Sequence, residues 1–178
     1  MKAYRLLVQN KQGATQPDQK LFNDNVFQAF QLLEKEHGTC GIKGFDLRKL
    51  TRMLCIEMPA AVTTGLLDLL DKREDENCDF DEFLSAIKTI LLYDSYFEEM
   101  ESIFRHLDNG KTGKIRITDL VTSLQKLRHA DVITLHELRV PEPTEVESIY
   151  KKMTAAGTIE TPSQLNRSEY LTIMFKVT

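Results

Sequence analysis

Apolar side chains recur along this chain at intervals of three and four residues, the spacing that gathers them on one face of an α-helix. Val26, Phe27, Phe30 and Leu33 form the first such stripe, and Leu47, Leu50 and Leu54 the second. Further stripes follow at Phe83, Ile87, Ile90 and Leu91, at Phe97, Met100, Phe104 and Leu107, at Leu120, Val121, Leu124 and Leu127, and at Val146, Ile149, Tyr150 and Met153. Each predicts an amphipathic helix whose apolar side packs into a core. Asn23 or Asp24 is placed to cap the first, while Ser95 with Glu98 and Thr144 with Glu147 have the capping-box spacing of a helix start. Pro59 and the Pro141-Glu142-Pro143 stretch mark connectors, because proline has no backbone donor and turns its predecessor away from helical geometry. The pattern predicts an all-α protein of about eight helices.

A longer period overlies the helical one. Four times a helix runs into a polar or glycine-containing stretch, then an apolar residue, then, four residues on, an acidic residue that leads straight into another apolar one. The four sets are Ile42 with Asp46 and Leu47, Cys78 with Glu82 and Phe83, Ile115 with Asp119 and Leu120, and Leu165 with Glu169 and Tyr170. Their acidic members lie 36, 37 and 50 residues apart, so one unit is written four times and the last carries extra length. That length falls in 129–143 and between Ala155 and Gln164.

The repeat resembles the EF-hand superfamily, in its calmodulin-like, centrin-like and myosin-light-chain-like branches. There a loop between two helices offers oxygen ligands at positions 1, 3, 5, 7, 9 and 12, with glycine at 6 for the sharp turn. The resemblance covers Leu21 to Phe175 and implies four EF-hand-like helix-loop-helix units in two lobes, with degenerate calcium loops. Asp71, Asp75, Asp79 and Glu82 stand at ligand positions of the second loop, but Arg73 brings a cation to position 3 and Glu76 replaces the turn glycine. The third loop has Asp108 at position 1, Thr112 at 5 and Gly113 at 6, yet Gly110 offers no side-chain oxygen and Asp119 is short for the bidentate position. No cage can be drawn before Asp46 or before Glu169, where Ser163 takes the glycine position. The resemblance implies no required cofactor, and at most weak calcium or magnesium binding in the second and third loops.

Composition narrows the class further. Hydrophobic residues at 42% and charged residues at 28% are globular proportions that argue against disorder. A net charge of −4, spread along the chain, argues against nucleic acid as the main partner. The longest apolar run, Ile90 to Tyr93, is far too short to span a membrane, and nothing near Leu6-Leu7-Val8 resembles an export signal. Cys40, Cys55 and Cys78 lack the paired spacing of a zinc or redox motif, so reduced thiols in the cytoplasm are expected. Nucleophile elbows, metalloprotease helices and phosphate or dinucleotide loops are missing, and no enzyme activity is expected.

These readings predict an N-terminal arm over 1–20 that is solvated, one lobe over 21–92 and a second over 93–178 with an insertion at 129–143. The resemblance implies a calcium-independent adaptor or light chain whose lobes grip an amphipathic helix of a larger protein, such as a cytoskeletal motor or a centriolar or axonemal component. Met53, Met58, Phe83, Ile87, Met100, Phe104, Met153, Met174 and Phe175 are the candidate groove residues, with core packing as their other reading. Two alternatives remain open: a calcium sensor switching through 71–82 or 108–119, and a regulatory subunit clamped on an enzyme. The expected location is the cytoplasm, with the cytoskeleton or the cilium or flagellum as its specific address.

Overall fold

The computed structural model describes residues 2–12, 19–38, 41–70, 73, 76–129 and 140–178. Helices α1 (Lys2–Gln12) and α2 (Gln19–His37) lead into the short strand β1 (Ile42–Lys43), then α3 (Gly44–Leu54) and α4 (Ala60–Leu69). Strand β2 (Asn77–Cys78) opens into the long α5 (Phe80–Leu107), followed by β3 (Lys114–Arg116) and α6 (Ile117–His129). Helix α7 (Pro143–Ala155), β4 (Gln164–Asn166) and α8 (Arg167–Lys176) complete the order. The chain divides into a first unit, Met1–Leu91, and a second, Leu92–Thr178, with α5 contributing to both.

Each unit holds one antiparallel ribbon. Ile42 pairs with Cys78 and Lys43 with Asn77 in the first, while Lys114–Arg116 pairs with Gln164–Asn166 in the second. The four apolar residues of the sequence repeat are thus ribbon partners, Ile42 opposite Cys78 and Ile115 opposite Leu165, and all four are buried. Burial on one face at the ladder fixes its register, since a slip of one residue would turn these side chains to water. Gly41 makes the first ribbon possible. It takes φ +84°, and a Cβ there would lie 3.1 Å from the Cys78 carbonyl oxygen.

The first unit packs around Leu7, Val26, Leu47, Leu66, Phe83 and Ile87, each at most 1% exposed. Phe27 and Phe30 meet Phe80 edge-on, at centroid distances of 5.1 and 5.6 Å, and Phe30 also meets Phe83 at 5.5 Å. The second unit closes on Met100, Leu120, Leu124, Val146, Leu165, Tyr170, Ile173 and Met174. Burying one such side chain contributes roughly 1.5–3 kcal/mol, so the stripes supply the main stabilisation of both units.

Several local expectations are corrected. The residues before position 20 are not a solvated arm throughout: α1 packs against α2 and α3, with Ala3 and Leu7 buried. Its stripe was too short to register as a helix in the sequence. Ser95 and Glu98 begin nothing, because α5 runs unbroken through them, and an S-x-x-E spacing also fits one helix face. Asn23 and Asp24 lie inside α2, which starts at Gln19. Helix α7 starts earlier than its predicted box, with Pro143 as its first residue and the Glu145 carboxylate accepting the Glu142 N–H at 3.3 Å. Most of the predicted insertion, 130–139, lies outside the described residues.

Candidate functional site

The four acidic residues of the repeat share one structural position. Asp46 is the third residue of α3, Glu82 of α5, Asp119 of α6 and Glu169 of α8. At a helix N-terminus the first N–H groups lack intrahelical acceptors and the macrodipole is positive, so a carboxylate at the third position is stabilising there without any ion. Two of the four close complete capping boxes. Glu82 accepts the Asp79 N–H at 3.1 Å and donates its own N–H to Asp79 Oδ1 at 2.9 Å. Glu169 accepts the Asn166 N–H at 2.8 Å, and its N–H donates to Asn166 Oδ1 at 2.9 Å. Glu169 Oε1 also takes the Glu160 N–H at 2.7 Å, which ties the loop before β4 to α8. Asp119 lies beside Arg116, 3.6 Å from Nε.

The predicted metal positions are filled in the same way. Asp108 Oδ1 accepts the Thr112 N–H at 2.8 Å and the Thr112 hydroxyl at 2.9 Å, and Oδ2 accepts the Gly113 N–H at 2.8 Å. Desolvation raises the Asp108 carboxyl, but the hydrogen bonds from Thr112 and Gly113 together outweigh it and hold the group below its ordinary value. Thr112 thus serves the turn and accepts the Lys114 N–H at 3.3 Å. Gly113, at φ +74°, supplies the left-handed bend, and Ser163 takes the same conformation at φ +64° with its N–H on the Tyr150 hydroxyl. Asp71 and Asp75 lie outside the described residues. Arg73 sits 3.9 Å from the Glu76 carboxylate and donates its backbone N–H to it at 3.0 Å. Among the described residues, no group of three or more His, Cys, Asp or Glu side chains is placed to hold a metal ion.

The candidate groove residues are mostly interior. Phe83, Ile87, Met100 and Met174 are fully buried, and Phe104 and Met153 nearly so, while Met53, Met58 and Phe175 are half-buried. Contact with a partner would require the buried six to leave their cores. Phe175 instead packs with Tyr93 at 5.4 Å and Phe97 at 6.3 Å inside the second unit. Burial pushes the Tyr96 hydroxyl up to about 12, and Tyr170, donating to the Met100 carbonyl at 2.9 Å, well above its ordinary value.

Two features of the surface escaped the sequence reading. An open hollow between α7 and α8 is bordered by Thr144, Ser148, Lys152, Lys176 and Thr178. The large exposed apolar side chains found among the described residues, Leu21, Phe27, Phe45, Ile56 and Leu69, all belong to the first unit. Phe27, expected in the core from its stripe, is 44% exposed. Cys55 and Cys78 are buried, and no described helix is long and apolar enough to cross a membrane.

Comparison with known proteins gives one family. A family model described as "Tubulin polyglutamylase complex subunit 1-like, C-terminal" matches residues 3–167, from within α1 to the start of α8. No curated protein matches the chain. The match overturns membership of the EF-hand superfamily. The regular acidic residues that suggested it stand third in their helices, the place a capping carboxylate shares with the last ligand of a calcium loop, and Glu82 and Glu169 use it for capping.

Proposed function

The chain belongs to the tubulin polyglutamylase complex subunit 1-like C-terminal family, and from that premise we propose that it is a non-catalytic subunit of a tubulin-modifying complex, acting through protein contacts. The single observation that carries this reading is the family match over 3–167. The internal use of the loop carboxylates supports it, since Asp108, Glu82 and Glu169 are engaged by backbone N–H groups in capping and turn formation. A cytoskeletal, cytoplasmic setting and a larger protein partner follow from the same premise.

Assembly should not depend on calcium, because a metal can drive a change of state only through differential affinity for the two states. Affinity purification of the tagged chain from cells, once in chelator and once in calcium, tests the proposal. The expected result is co-purification of a tubulin-glutamylating activity and its catalytic subunit, in equal yield under both conditions. Glutamylation by the purified chain alone would overturn the non-catalytic role. Recovery without any such activity would overturn the assignment to a complex.

A further inference from the structure

The loop between α7 and β4 carries Thr161-Pro162, and no other serine or threonine of the chain precedes a proline. The backbone turns there. The Thr161 carbonyl accepts the Gln164 N–H at 3.1 Å, Pro162 holds the second position of the turn, and Ser163 takes the third at φ +64°. That is the pattern of a type II turn, which needs a left-handed third residue. Proline after it disfavours helical geometry at Thr161 and biases the residue to an extended backbone, the form in which a protein kinase takes up its acceptor residue. Glu160, Pro162 and Ser163 are exposed and Thr161 is half-buried.

The Thr161 hydroxyl accepts a hydrogen bond from Lys114 Nζ on β3 at 2.9 Å. A lysine ammonium only donates, so the hydroxyl keeps its own hydrogen and a second lone pair. The ammonium ends a flexible four-carbon stem, and moving it aside costs about one neutral-acceptor hydrogen bond. Arg116 lies on the same face of β3 as Lys114, because Ile115 between them is turned into the core. Its present partner is Asp119, at 3.6 Å and on the surface. The ribbon therefore sets one reactive hydroxyl in an exposed proline turn beside two cations.

We propose that Thr161 is a phosphorylation site for a proline-directed protein kinase, and that Lys114, with Arg116 next along β3, holds the phosphate against the ribbon. This site does not depend on the subunit role. The phosphoryl donor is a magnesium-bound nucleoside triphosphate. Thr161 Oγ1 bonds to the γ-phosphorus, the bond from that phosphorus to the β-phosphate oxygen breaks, the nucleoside diphosphate leaves, and the hydroxyl proton passes to the kinase's base. The product carries about −1.5 to −2 charges and three acceptor oxygens in place of one neutral hydroxyl. Its contact with Lys114 becomes charge-assisted and about twice as strong. Glu160, beside it in sequence, and Glu169, whose Oε1 accepts the Glu160 N–H at 2.7 Å, oppose the new charge. Glu160 is exposed to screening, and Glu169 already accepts the Glu160 and Asn166 N–H groups, so the directly contacting Lys114 sets the sign. Phosphorylation thus ties the loop before β4 more firmly to β3.

The full chain, incubated with MgATP and in separate reactions a cyclin-dependent and a mitogen-activated kinase, tests the site, with a peptide of residues 155–168 as the unfolded control. Mass spectrometry should place a phosphate on Thr161 at a rate within about tenfold of the peptide, and none at that position in Thr161→Ala. Modification through global unfolding would run slower than the peptide by about a thousandfold or more, since a stable domain is unfolded for no larger a fraction of the time. Phosphorus NMR reads the clamp. The second phosphate ionisation, ordinarily at about 6, should fall by about half a unit in the phosphorylated parent. Lys114→Gln should abolish that fall, and Lys114→Arg, which keeps the charge, should retain most of it. Amide exchange in β3 and β4 should slow several-fold on phosphorylation of the parent and stay unchanged in Lys114→Gln. Failure of both kinases to modify Thr161 in the full chain, or modification only at the global-unfolding rate, overturns the site. The same ionisation in the parent and in Lys114→Gln overturns the clamp.

Discussion

The two units apply the same local rule to different interiors. In the first, Phe27, Phe30, Phe80 and Phe83 form an aromatic cluster without a hydroxyl. In the second, Tyr96 reaches the Met174 carbonyl at 3.5 Å and Tyr170 the Met100 carbonyl at 2.9 Å, so the aromatic core is also pinned to backbone. The ribbons differ in the same sense: two residue pairs join the loops of the first unit and three join those of the second. Across the second ribbon Lys114 Nζ donates to the Thr161 hydroxyl at 2.9 Å. The exposed apolar side chains meanwhile lie on the first unit, Leu21, Phe27, Phe45, Ile56 and Leu69. Polar ties to backbone fix geometry and satisfy buried groups, whereas exposed apolar area is a surface open to contact. The lesson is that one scaffold can hold a self-tied unit and a contact-bearing one, depending on where hydroxyls and large apolar residues fall.

The sharpest way to break this comparison is to empty one core. Phe83 is fully buried against Phe30, and Phe83→Ala should cost about 3–5 kcal/mol through lost transfer energy and the cavity left behind. Hydrogen exchange should show protection falling most in α2, α3 and α4. Equal loss throughout 92–178 would mean that the two interiors are not separate stability units.

Alkali probes the other interior. The Tyr96 hydroxyl is raised from 10.0 to about 12, chiefly by desolvation, so the neutral form is favoured in the folded state. Stability from this group is therefore full below pH 10 and is lost as pH rises towards 12, amounting to about 3 kcal/mol once both states are ionised. Tyr170 shifts the same way. Tyrosinate absorbance followed with near-ultraviolet dichroism should show the second unit opening over that interval. Tyr96→Phe should remove part of the transition, and an unchanged alkaline limb in that variant would contradict the assignment.

Capping gives smaller effects and sharpens the contrast between loops. Glu169→Ala removes acceptors for the Glu160 and Asn166 N–H groups and should cost about 1–2 kcal/mol. Glu82→Ala, at a more exposed box, should cost about 0.5–1 kcal/mol. Chemical denaturation of both variants checks the order. At Asp108 the sign runs towards acid: its folded value is lowered, so the turn's contribution holds above the ordinary carboxylate range and fades as pH falls through the folded value. The Thr112 and Gly113 amide resonances should report that loss first.

Much of the fold was legible because stripe spacing and burial share a cause. The members of the 47, 50, 54 stripe are all buried, as are Ile42, Cys78, Ile115 and Leu165 of the repeat. The repeat was read correctly as a recurrence but not as to its chemistry. A carboxylate at the third helical position has the same spacing whether it meets a metal or an N–H group, and spacing alone does not contain the acceptor's partner. The candidate groove failed to separate core from surface for a related reason, since Met100 and Met174 are chemically suited to either place.

The sequence by itself determined the helical class, the two kinds of periodicity and the apolar residues of each ribbon, because these depend on neighbours within about four positions along the chain. Only the tertiary structure decided that α1 packs onto the first unit, that α5 passes through Ser95 without a break, and that Phe27 and Phe45 face outward while Asp46 faces in. Those outcomes turn on which faces meet across long chain separations. That is settled by the sum of packing, hydrogen-bond satisfaction and burial over many residues at once, not by the pattern around any one of them.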